Sequence, residues 1–522
     1  MTIRVVILIL FSFVAAKAGG TYTNPIIDAD YSDPDVIRVG DDFYLTASSF
    51  NCIPGLPILH SKDLVNWKII GHALREQRPL DVFARPQHGN GVWAPSIRFH
   101  KGEFYIFYGD PDFGIYMVKA RNAAGPWSGP LVIRRARGWI DPAPFWDEDG
   151  NAYLVHAWAN SRSGIKSILT INRMSSDGTK LLDEGRMVFD GRVNHPTIEG
   201  PKLYKRNGYY YIFAPAGGVA TGWQTVLRSK DIYGPYEDRI VMDRGQTEIN
   251  GPHQGGWVEL KSGESWFVHF QDRGVYGRVV HLQPMKWVND WPVIGVDVDG
   301  DGKGEPVAKY QKPNVGREYP VQAPQTSDGF SGRKLGLQWQ WHANPRANWM
   351  RLAQGRLRLQ AVAPVSPNLS TAPNLLLQKL PARKFTVTTF VDGSHLRKGE
   401  RSGLVIMGRD YSYIAIDGSR LVRMTSIDAA KGTPEKEHGS IELKKQSVFL
   451  RVSVNDGICA FSYSFDGKKF EPLGESFTAK PGVWIGAKVG LFAVGSDRGY
   501  ADIDWFRFEL PEQSAQTPAR VQ

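Results

Sequence analysis

The sequence predicts an all-β protein in which a five-bladed β-propeller is followed by a β-sandwich. Three observations predict this fold class. A turn followed by an aromatic residue recurs five times, residues 20–300 show almost no amphipathic helical period, and strand patterns resume after a polar stretch rich in proline and glutamine. The chain has 522 residues, which is enough for two or three domains of ordinary size.

The first 18 residues have the order of a secretory signal peptide. Arg4 precedes an apolar run from Val5 to Ala16, and Ala16-Lys17-Ala18 has the small residues typical of a cleavage site. The apolar run is too short to span a bilayer comfortably, so we expect cleavage rather than anchoring in a membrane. The mature protein is therefore expected to be secreted or periplasmic.

The repeat defines the predicted propeller. In each unit an acidic or glycine turn is followed by an aromatic residue that opens a β-rich run. The five aromatic residues are Tyr44, Tyr105, Tyr153, Tyr211 and Trp266, spaced by 61, 48, 58 and 55 residues. Units of this length fit propeller blades of four strands. In a single β-sandwich, the fixed position of the aromatic residue after each of the five turns would be a coincidence. We assign residues 19–311 to the propeller.

A second domain is predicted after a linker. Residues 312–325 are rich in proline and polar residues and indicate the linker. Strand patterns then return over residues 326–510, and FSYSFDGKKF has an Asp-Gly pair where a hairpin would turn. This spacing favours a β-sandwich. Residues 511–522 are expected to form a disordered tail.

Charge and cysteine content exclude several classes of function. The formal net charge is +10, but lysine and arginine are scattered and no nucleic-acid motif occurs, so we expect no nucleic-acid partner. Cys52 and Cys459 fall in different predicted domains. Two such residues build neither a disulfide framework nor a zinc site.

Three carboxylates stand on tight turns at the predicted starts of blades. Asp33 precedes Pro34, Asp141 precedes Pro142, and Glu199 lies in Ile198-Glu199-Gly200-Pro201. Any one of them alone is most simply a turn residue. Three at the heads of different blades point to one central site, and paired carboxylates are what cleavage of a glycosidic bond needs.

These segments resemble glycoside hydrolase family 43, the five-bladed β-xylosidases and α-L-arabinofuranosidases. The resemblance runs from Asn24 to about Val307 and includes Trp93-Ala94-Pro95 and Tyr276-Gly277-Arg278. It implies that Asp33 is the general base, that Glu199 is the general acid, and that Asp141 orients the acid and raises its pKa. A separation of roughly 6.5–9.5 Å between base and acid would give inversion at the anomeric carbon.

Further site residues follow from the resemblance, each with a plainer alternative. Trp93 is expected to stack on a sugar or pack within a blade, and Arg278 to hold substrate hydroxyls or form a surface ion pair. Phe50 and Trp223 are expected to line the pocket or pack in the core. His253 would contact a structural Ca²⁺ ion or water at the propeller centre. No cofactor is expected to be required for catalysis.

The C-terminal domain resembles the lectin-like, concanavalin-like β-sandwich of many family 43 xylosidases, which leans over the active site and favours exo action. We therefore expect an inverting exo-hydrolase that releases xylose from β-1,4-xylo-oligosaccharides or arabinofuranose from hemicellulose side chains. Two alternatives stay open: an endo-arabinanase, which would need a groove open at both ends, and a carbohydrate-binding propeller without activity. The sequence leaves the oligomeric state open.

Overall fold

The computed structural model describes residues 20–366 and 368–511. The predicted signal peptide and nearly all of the predicted tail lie outside these residues. Strands dominate the described part, and its one α-helix, α1 (Asn160–Ser163), is a single turn. Within the described ranges, no helix has the length and apolar character needed to cross a membrane.

The first domain is a five-bladed β-propeller, as predicted. After β1 (Thr21–Thr23), each blade is an antiparallel sheet of four consecutive strands. The strands are β2 (Asp35–Val39), β3 (Asp42–Thr46), β4 (Gly55–Ser61) and β5 (Lys68–Leu74) in blade one; β6 (Trp93–His100), β7 (Glu103–Asp110), β8 (Gly114–Ala120) and β9 (Leu131–Arg134) in blade two; β10 (Trp139–Trp146), β11 (Ala152–Trp158), β12 (Ile168–Met174) and β13 (Arg186–Asp190) in blade three; β14 (Lys202–Arg206), β15 (Tyr209–Ala216), β16 (Trp223–Ser229) and β17 (Glu237–Met242) in blade four; and β18 (His253–Glu259), β19 (Ser265–Asp272), β20 (Arg278–Val288) and β21 (Trp291–Ile294) in blade five.

The aromatic repeat marks the second strand of every blade. Its five aromatic residues lie on β3, β7, β11, β15 and β19, in the second or third position of the strand. The turn before each aromatic residue is therefore the hairpin that joins the innermost strand to its neighbour. This local signal explains why the blade count was readable from the sequence.

The N-terminal segment closes the ring by packing on blade five. The backbone of Ile27 pairs with that of Val280, and the N–H of Tyr31 donates to the carbonyl of Arg278 at 3.0 Å. Strand β1 also pairs with β22 (Lys309–Gln311), which follows the last blade. The first and last parts of the propeller chain are thus held together, and the segment that leads to Asp33 is fixed on blade five.

The second domain is a β-sandwich of two antiparallel sheets. One sheet has the order β23-β26-β36-β28-β29-β30-β31, and the other β24-β25-β37-β27-β32-β33-β34, with β35 paired to β33. The strands are β23 (Gln340–Trp341), β24 (Met350–Ala353), β25 (Arg356–Gln360), β26 (Leu376–Lys379), β27 (Lys384–Asp392), β28 (Arg401–Met407), β29 (Tyr411–Asp417), β30 (Arg420–Ser426), β31 (Lys436–Glu442), β32 (Ser447–Asn455), β33 (Ile458–Ser464), β34 (Glu471–Pro472), β35 (Phe477–Thr478), β36 (Lys488–Val494) and β37 (Tyr500–Glu509). Short 3-10 turns occur at Gly274–Tyr276, Leu369–Thr371 and Ala429–Lys431.

The two domains are in direct contact. Residues 312–327 contain no strand, and part of this segment lies on blade one, where the N–H of Gln322 donates to the Asn66 side chain at 3.2 Å. On the active-site side, the N–H of Ala487 in the sandwich donates to the carbonyl of Val275 at 2.8 Å. Backbone bonds of this kind fix where the sandwich meets the propeller.

Candidate active site

The same backbone device occurs at the head of every innermost strand. In β2, β6, β10, β14 and β18, a residue in the left-handed region lies at or just before the start of the strand or at its first bulge. These residues are Asp33 (φ 54°), Ala94 (31°), Asp141 (57°), Gly200 (59°) and Gln254 (34°). Register breaks follow in β6, β10 and β18. Such bulges bend a strand and re-aim its side chains, so the five heads converge near the axis.

Asp33 is held at both carboxylate oxygens. The Arg278 guanidinium donates to Oδ1 at 2.9 Å, and the Ser48 hydroxyl donates to Oδ2 at 2.5 Å. The residue is only 5% exposed. An arginine partner and a hydroxyl donor both stabilise the charged carboxylate. Arg278 therefore forms an ion pair, but a buried one with a site residue and not the surface pair that was its plainer alternative.

Asp141 is the most deeply buried of the three carboxylates, at 2% exposure. Its Oδ2 accepts the N–H of Gly200 at 2.8 Å and the amide of Gln254 at 3.4 Å. The contact with Gly200 fixes the turn that carries Glu199. Burial, reinforced by the charges of Glu199 and Asp33, raises the pKa of Asp141 well above its usual range.

Glu199 lies one residue earlier in its turn than Asp33 and Asp141 do in theirs, and its side chain is 32% exposed. Its Oε1 bonds to His253 Nε2 at 2.9 Å. Burial acts to raise the pKa of Glu199, but the hydrogen bond and charge of His253, helped by Arg278, leave that pKa below its ordinary value. The expected raised pKa is therefore wrong in direction for this structure. Of these two carboxyl groups, Asp141 is the one whose protonated form is favoured.

Lys202 crosses the centre of the propeller beneath these groups. It begins β14 in blade four, yet its Nζ donates to Ser96 Oγ at 2.9 Å and to the carbonyl of Pro95 at 3.3 Å, both in blade two. Blades two and four are not neighbours, so the side chain spans the axis. Burial lowers the pKa of Lys202, while the charges of Asp35 and Asp141 oppose that shift.

The residues at the axis do not fit a calcium ion. His253 Nε2 is used by Glu199, and only its buried Nδ1 lacks a partner. Among residues 20–366 and 368–511, the one converging group of three metal-ligating side chains is Asp297, Asp299 and Asp301, in the loop after β21. Calcium takes six to eight oxygen ligands. Among the described residues, the axis therefore lacks the cluster of carboxylates that would hold a calcium ion.

The rim of the site combines both domains. Trp93, half-buried at the head of β6, donates from Nε1 to the carbonyl of Gly89 at 2.7 Å. Trp484 of the sandwich, 52% exposed, meets Trp93 edge-to-face with the ring centroids 6.1 Å apart. The Arg278 guanidinium carbon lies 6.0 Å from the Trp484 ring centroid. The sandwich thus contributes an aromatic side chain beside the arginine that holds Asp33.

The other two predicted pocket residues have local structural roles. Phe50 is buried, and its backbone exchanges two hydrogen bonds with Val92, next to Trp93. Trp223 is half-buried at the start of β16, where its Nε1 donates to His195 Nδ1 at 3.2 Å. Sugar contact by either residue stays a prediction.

Sequence reasoning missed Ser48, Gln254 and Trp484. Ser48 and Gln254 hold carboxylates that are distant in sequence, and Trp484 comes from the other domain. A signal existed for Gln254, because it directly follows His253 in the Gly251-Pro252-His253-Gln254-Gly255 segment at the head of blade five. Ser48 and Trp484 carried no local signal.

Comparison with known proteins gave consistent matches along the chain. The model for glycosyl hydrolases family 43 matches residues 22–292, and the model for the beta xylosidase C-terminal concanavalin A-like domain matches residues 327–509. A putative beta-xylosidase from Xylanibacter ruminicola is 42% identical and is matched over 91% of this chain and 86% of its own length.

Two further matches cover nearly the whole chain. A non-reducing end alpha-L-arabinofuranosidase from Bacteroides ovatus is 30% identical over 94% of both chains. The crystal structure of a xylan beta-1,4-xylosidase from Bacillus halodurans has a TM-score of 0.83 at 26% identity, covering 94% of this chain and 100% of that one. The propeller and the sandwich are thus matched together as one unit.

Proposed function

Because the chain belongs to glycosyl hydrolase family 43, we propose that this glycoside hydrolase releases xylose from the ends of β-1,4-xylo-oligosaccharides, with inversion at the anomeric carbon. The observation that carries the exo assignment is Trp484, which the sandwich places beside Trp93 and Arg278. A wall on this side of the site favours a pocket over the through-groove that an endo-arabinanase needs. The names of the matched relatives support xylosides as substrates.

In the proposed mechanism, Asp33 and Glu199 act on opposite sides of the scissile bond. Asp33, paired with Arg278, takes a proton from a water molecule that attacks the anomeric carbon. Glu199 gives its proton to the leaving oxygen. Asp141 holds the Glu199 turn through the N–H of Gly200, and its carboxyl group interacts electrostatically with the acid.

Glu199 must be protonated when the bond breaks, although its pKa lies below the ordinary value in this structure. A bound sugar would cover the exposed part of the Glu199 side chain and exclude water, and desolvation disfavours the charged form of a carboxyl group. Substrate binding would thus raise the pKa of Glu199. His253, which bonds to Glu199 Oε1, is placed to oppose that rise.

Arabinofuranose release is a second candidate activity. It is favoured by the arabinofuranosidase from Bacteroides ovatus, which matches 94% of this chain. The two aryl glycosides that present xylose in β linkage and arabinofuranose in α linkage separate these activities directly. A carbohydrate-binding propeller without activity is disfavoured, because all three carboxylates are present and connected at one site.

The test is a product analysis. Wild-type protein should release α-xylose first from an aryl β-xyloside, seen by proton NMR before mutarotation, and only xylose and xylotetraose in the early digest of xylopentaose. Glu199→Ala should lose most activity on xylobiose. First-formed β-xylose would refute inversion, and early xylobiose together with xylotriose would refute exo action. Normal rates of Glu199→Ala on both aryl glycosides would refute the acid assignment.

Export is proposed separately, from the predicted signal peptide. Expression of the full chain in a bacterial host should yield a mature protein in the periplasm or medium. Its N-terminus, read by mass spectrometry, should lie after Ala18. An uncleaved protein that stays inside the cell would refute this proposal.

A further inference from the structure

We propose that Asp30 is a positioning residue that docks the sandwich loop bearing Trp484 onto the base side of the active site. Asp30 lies three residues before Asp33, in the segment that closes the propeller. It is 3% exposed, and its hydrogen-bond partners are Ser32, Arg278 and Gly486. Its role would be to hold Trp484 and the Asp33–Arg278 pair in one fixed arrangement.

The two oxygens of Asp30 face different domains. Oδ1 accepts the Ser32 hydroxyl at 3.0 Å and the N–H of Arg278 at 3.0 Å, both within the propeller. Oδ2 accepts the N–H of Gly486, in the sandwich, at 2.9 Å. One carboxylate thus joins the residue beside the base, the backbone of the arginine that pairs with the base, and the loop of the second domain.

The contact around Gly486 leaves no space for adjustment. A Cβ atom added to Gly486 would lie 2.6 Å from the backbone nitrogen of Gly277. A Cβ added to Gly277, whose φ is +73°, would lie 2.4 Å from the Asp30 carboxyl carbon. The N–H of Ala487 donates to Val275 at 2.8 Å. Two glycine backbones and a carboxylate therefore set the distance between the domains here.

Trp484 depends on this contact for its place. It lies two residues before Gly486, its φ is 64°, and its ring is half-exposed between Trp93 and Arg278. Just before it, Val483 packs against Gly89, where an added Cβ would meet it at 2.7 Å. A loop pinned on both sides holds a half-exposed ring still, which lowers the entropy cost of binding a sugar against it.

A buried carboxylate is a costly way to join two domains unless its charge is satisfied. Asp30 has three hydrogen-bond donors, and the half-buried Lys379 of the sandwich lies near enough to interact with its charge. The ammonium of Lys379 stands 4.8 Å from the ring centroid of Tyr31, the residue after Asp30. Donors and counter-charge come from both domains, as an interdomain tie requires.

The test uses Asp30→Asn in the full chain. Asparagine keeps one acceptor oxygen, which can serve Ser32 and Arg278, but it turns an NH₂ group toward the N–H of Gly486. Two donors then face each other, so only the tie to the sandwich is broken. We expect KM for xylobiose to rise roughly tenfold, with kcat changed by less than about twofold. Asp33 keeps its hydrogen-bond partners in this variant, whereas Trp484 is no longer held in position.

Two comparisons separate positioning from general damage. Trp484→Ala should raise KM by a similar factor, and the double variant should be no worse than Trp484→Ala alone. Asp28→Asn is the matched control, since this more exposed residue in the same segment forms its ion pair with Arg273 and does not bond to Gly486, and its kinetics should equal those of the wild type. Should Asp30→Asn not fold, Gly486→Ala displaces the same loop from the sandwich side and should give the same rise in KM.

The inference rests on the proposed pocket, and its failure can be told apart from failure of the function. Wild-type protein inert on xylobiose and on both aryl glycosides would overturn the proposed function. An active wild type with an unchanged KM in Asp30→Asn would overturn only the role of Asp30. A double variant whose effects multiply, or a fall in kcat without a rise in KM, would do the same.

Discussion

The heads of blade one and blade four use the same backbone turn but place their carboxylates one residue apart. In blade one Asp33 itself is the left-handed residue before Pro34, whereas in blade four that place is taken by Gly200, before Pro201. Glycine is needed there, because a Cβ at φ +59° would lie 2.6 Å from the Gln254 side chain. Glu199 is thereby moved to the preceding position.

This one-residue difference separates two chemical environments. Asp33 is 5% exposed and both its oxygens are held, by Arg278 and Ser48. The side chain of Glu199 is 32% exposed and bonds to His253 through one oxygen. A pinned, charged carboxylate suits a base that must face a water molecule from a fixed position. A longer side chain open to the pocket suits an acid that must reach the leaving oxygen.

The largest effect is expected at Asp33, the carboxylate that is held at both oxygens. Asp33→Asn keeps the shape but cannot accept the proton from water, so kcat should fall by about 10⁴-fold. The loss should be equal for xylobiose and for aryl β-xyloside, because water activation is needed whatever group leaves. Steady-state kinetics on both substrates check this. A much smaller loss on the aryl substrate would contradict the base role of Asp33.

Substitution of Glu199, the more exposed carboxylate, should have a different effect on the two kinds of substrate. Glu199→Gln should lower kcat on xylobiose by about 10³-fold, but by much less on aryl glycosides, whose leaving groups need little protonation. A series of phenols of decreasing pKa measures this, and the logarithm of kcat should depend steeply on that pKa in the variant only. A loss that is the same across the series would remove the distinction between the two heads.

The extent to which this site was predictable follows from the same two turns. The blades and the three carboxylates were readable because hairpin turns, aromatic residues and X-Pro pairs are local signals. The one-residue shift at Glu199 was missed, since carboxylates near X-Pro pairs look equivalent until the left-handed residue is known. The direction of the Glu199 pKa was wrong because it depends on His253, which blade five brings to 2.9 Å. Trp484 was unpredictable, because its place depends on how two domains dock.

Lys202 lies between the two heads, and its removal should cost stability rather than chemistry alone. Lys202→Met removes an ammonium that interacts with the buried Asp35 and leaves Ser96 Oγ and the carbonyl of Pro95 without their donor, so the free energy of unfolding should fall by about 3 kcal/mol. Urea unfolding measures this. Lys261→Met is the control: this lysine and its partner Asp41 are both exposed, so its loss should leave the urea midpoint unchanged.

The central ammonium also sharpens the prediction that catalysis needs no metal. Wild-type protein dialysed against EDTA should keep its activity and its melting temperature, since Lys202 already supplies positive charge at the axis. A chelator that lowers the melting temperature, with recovery on added calcium, would contradict this. Equal stabilities of Lys202→Met and Lys261→Met would show that the axis does not need the charge.

The smallest effect is expected from His253, which holds the proposed acid on one side only. His253→Asn removes a hydrogen bond and a charge that lower the pKa of Glu199, so that pKa should rise. An acid works only while protonated, and activity is lost as the pH rises through its pKa. The alkaline limb of the kcat/KM profile should therefore move to higher pH, with a loss of roughly tenfold at the optimum from the missing bond. His60→Asn, whose ring pairs with Asp42 on blade one, should leave that limb in place. A limb that moves to lower pH in His253→Asn would mean that the group whose deprotonation abolishes activity is not Glu199. The assignment of Glu199 as the acid, and with it the contrast between the two blade heads, would then be wrong.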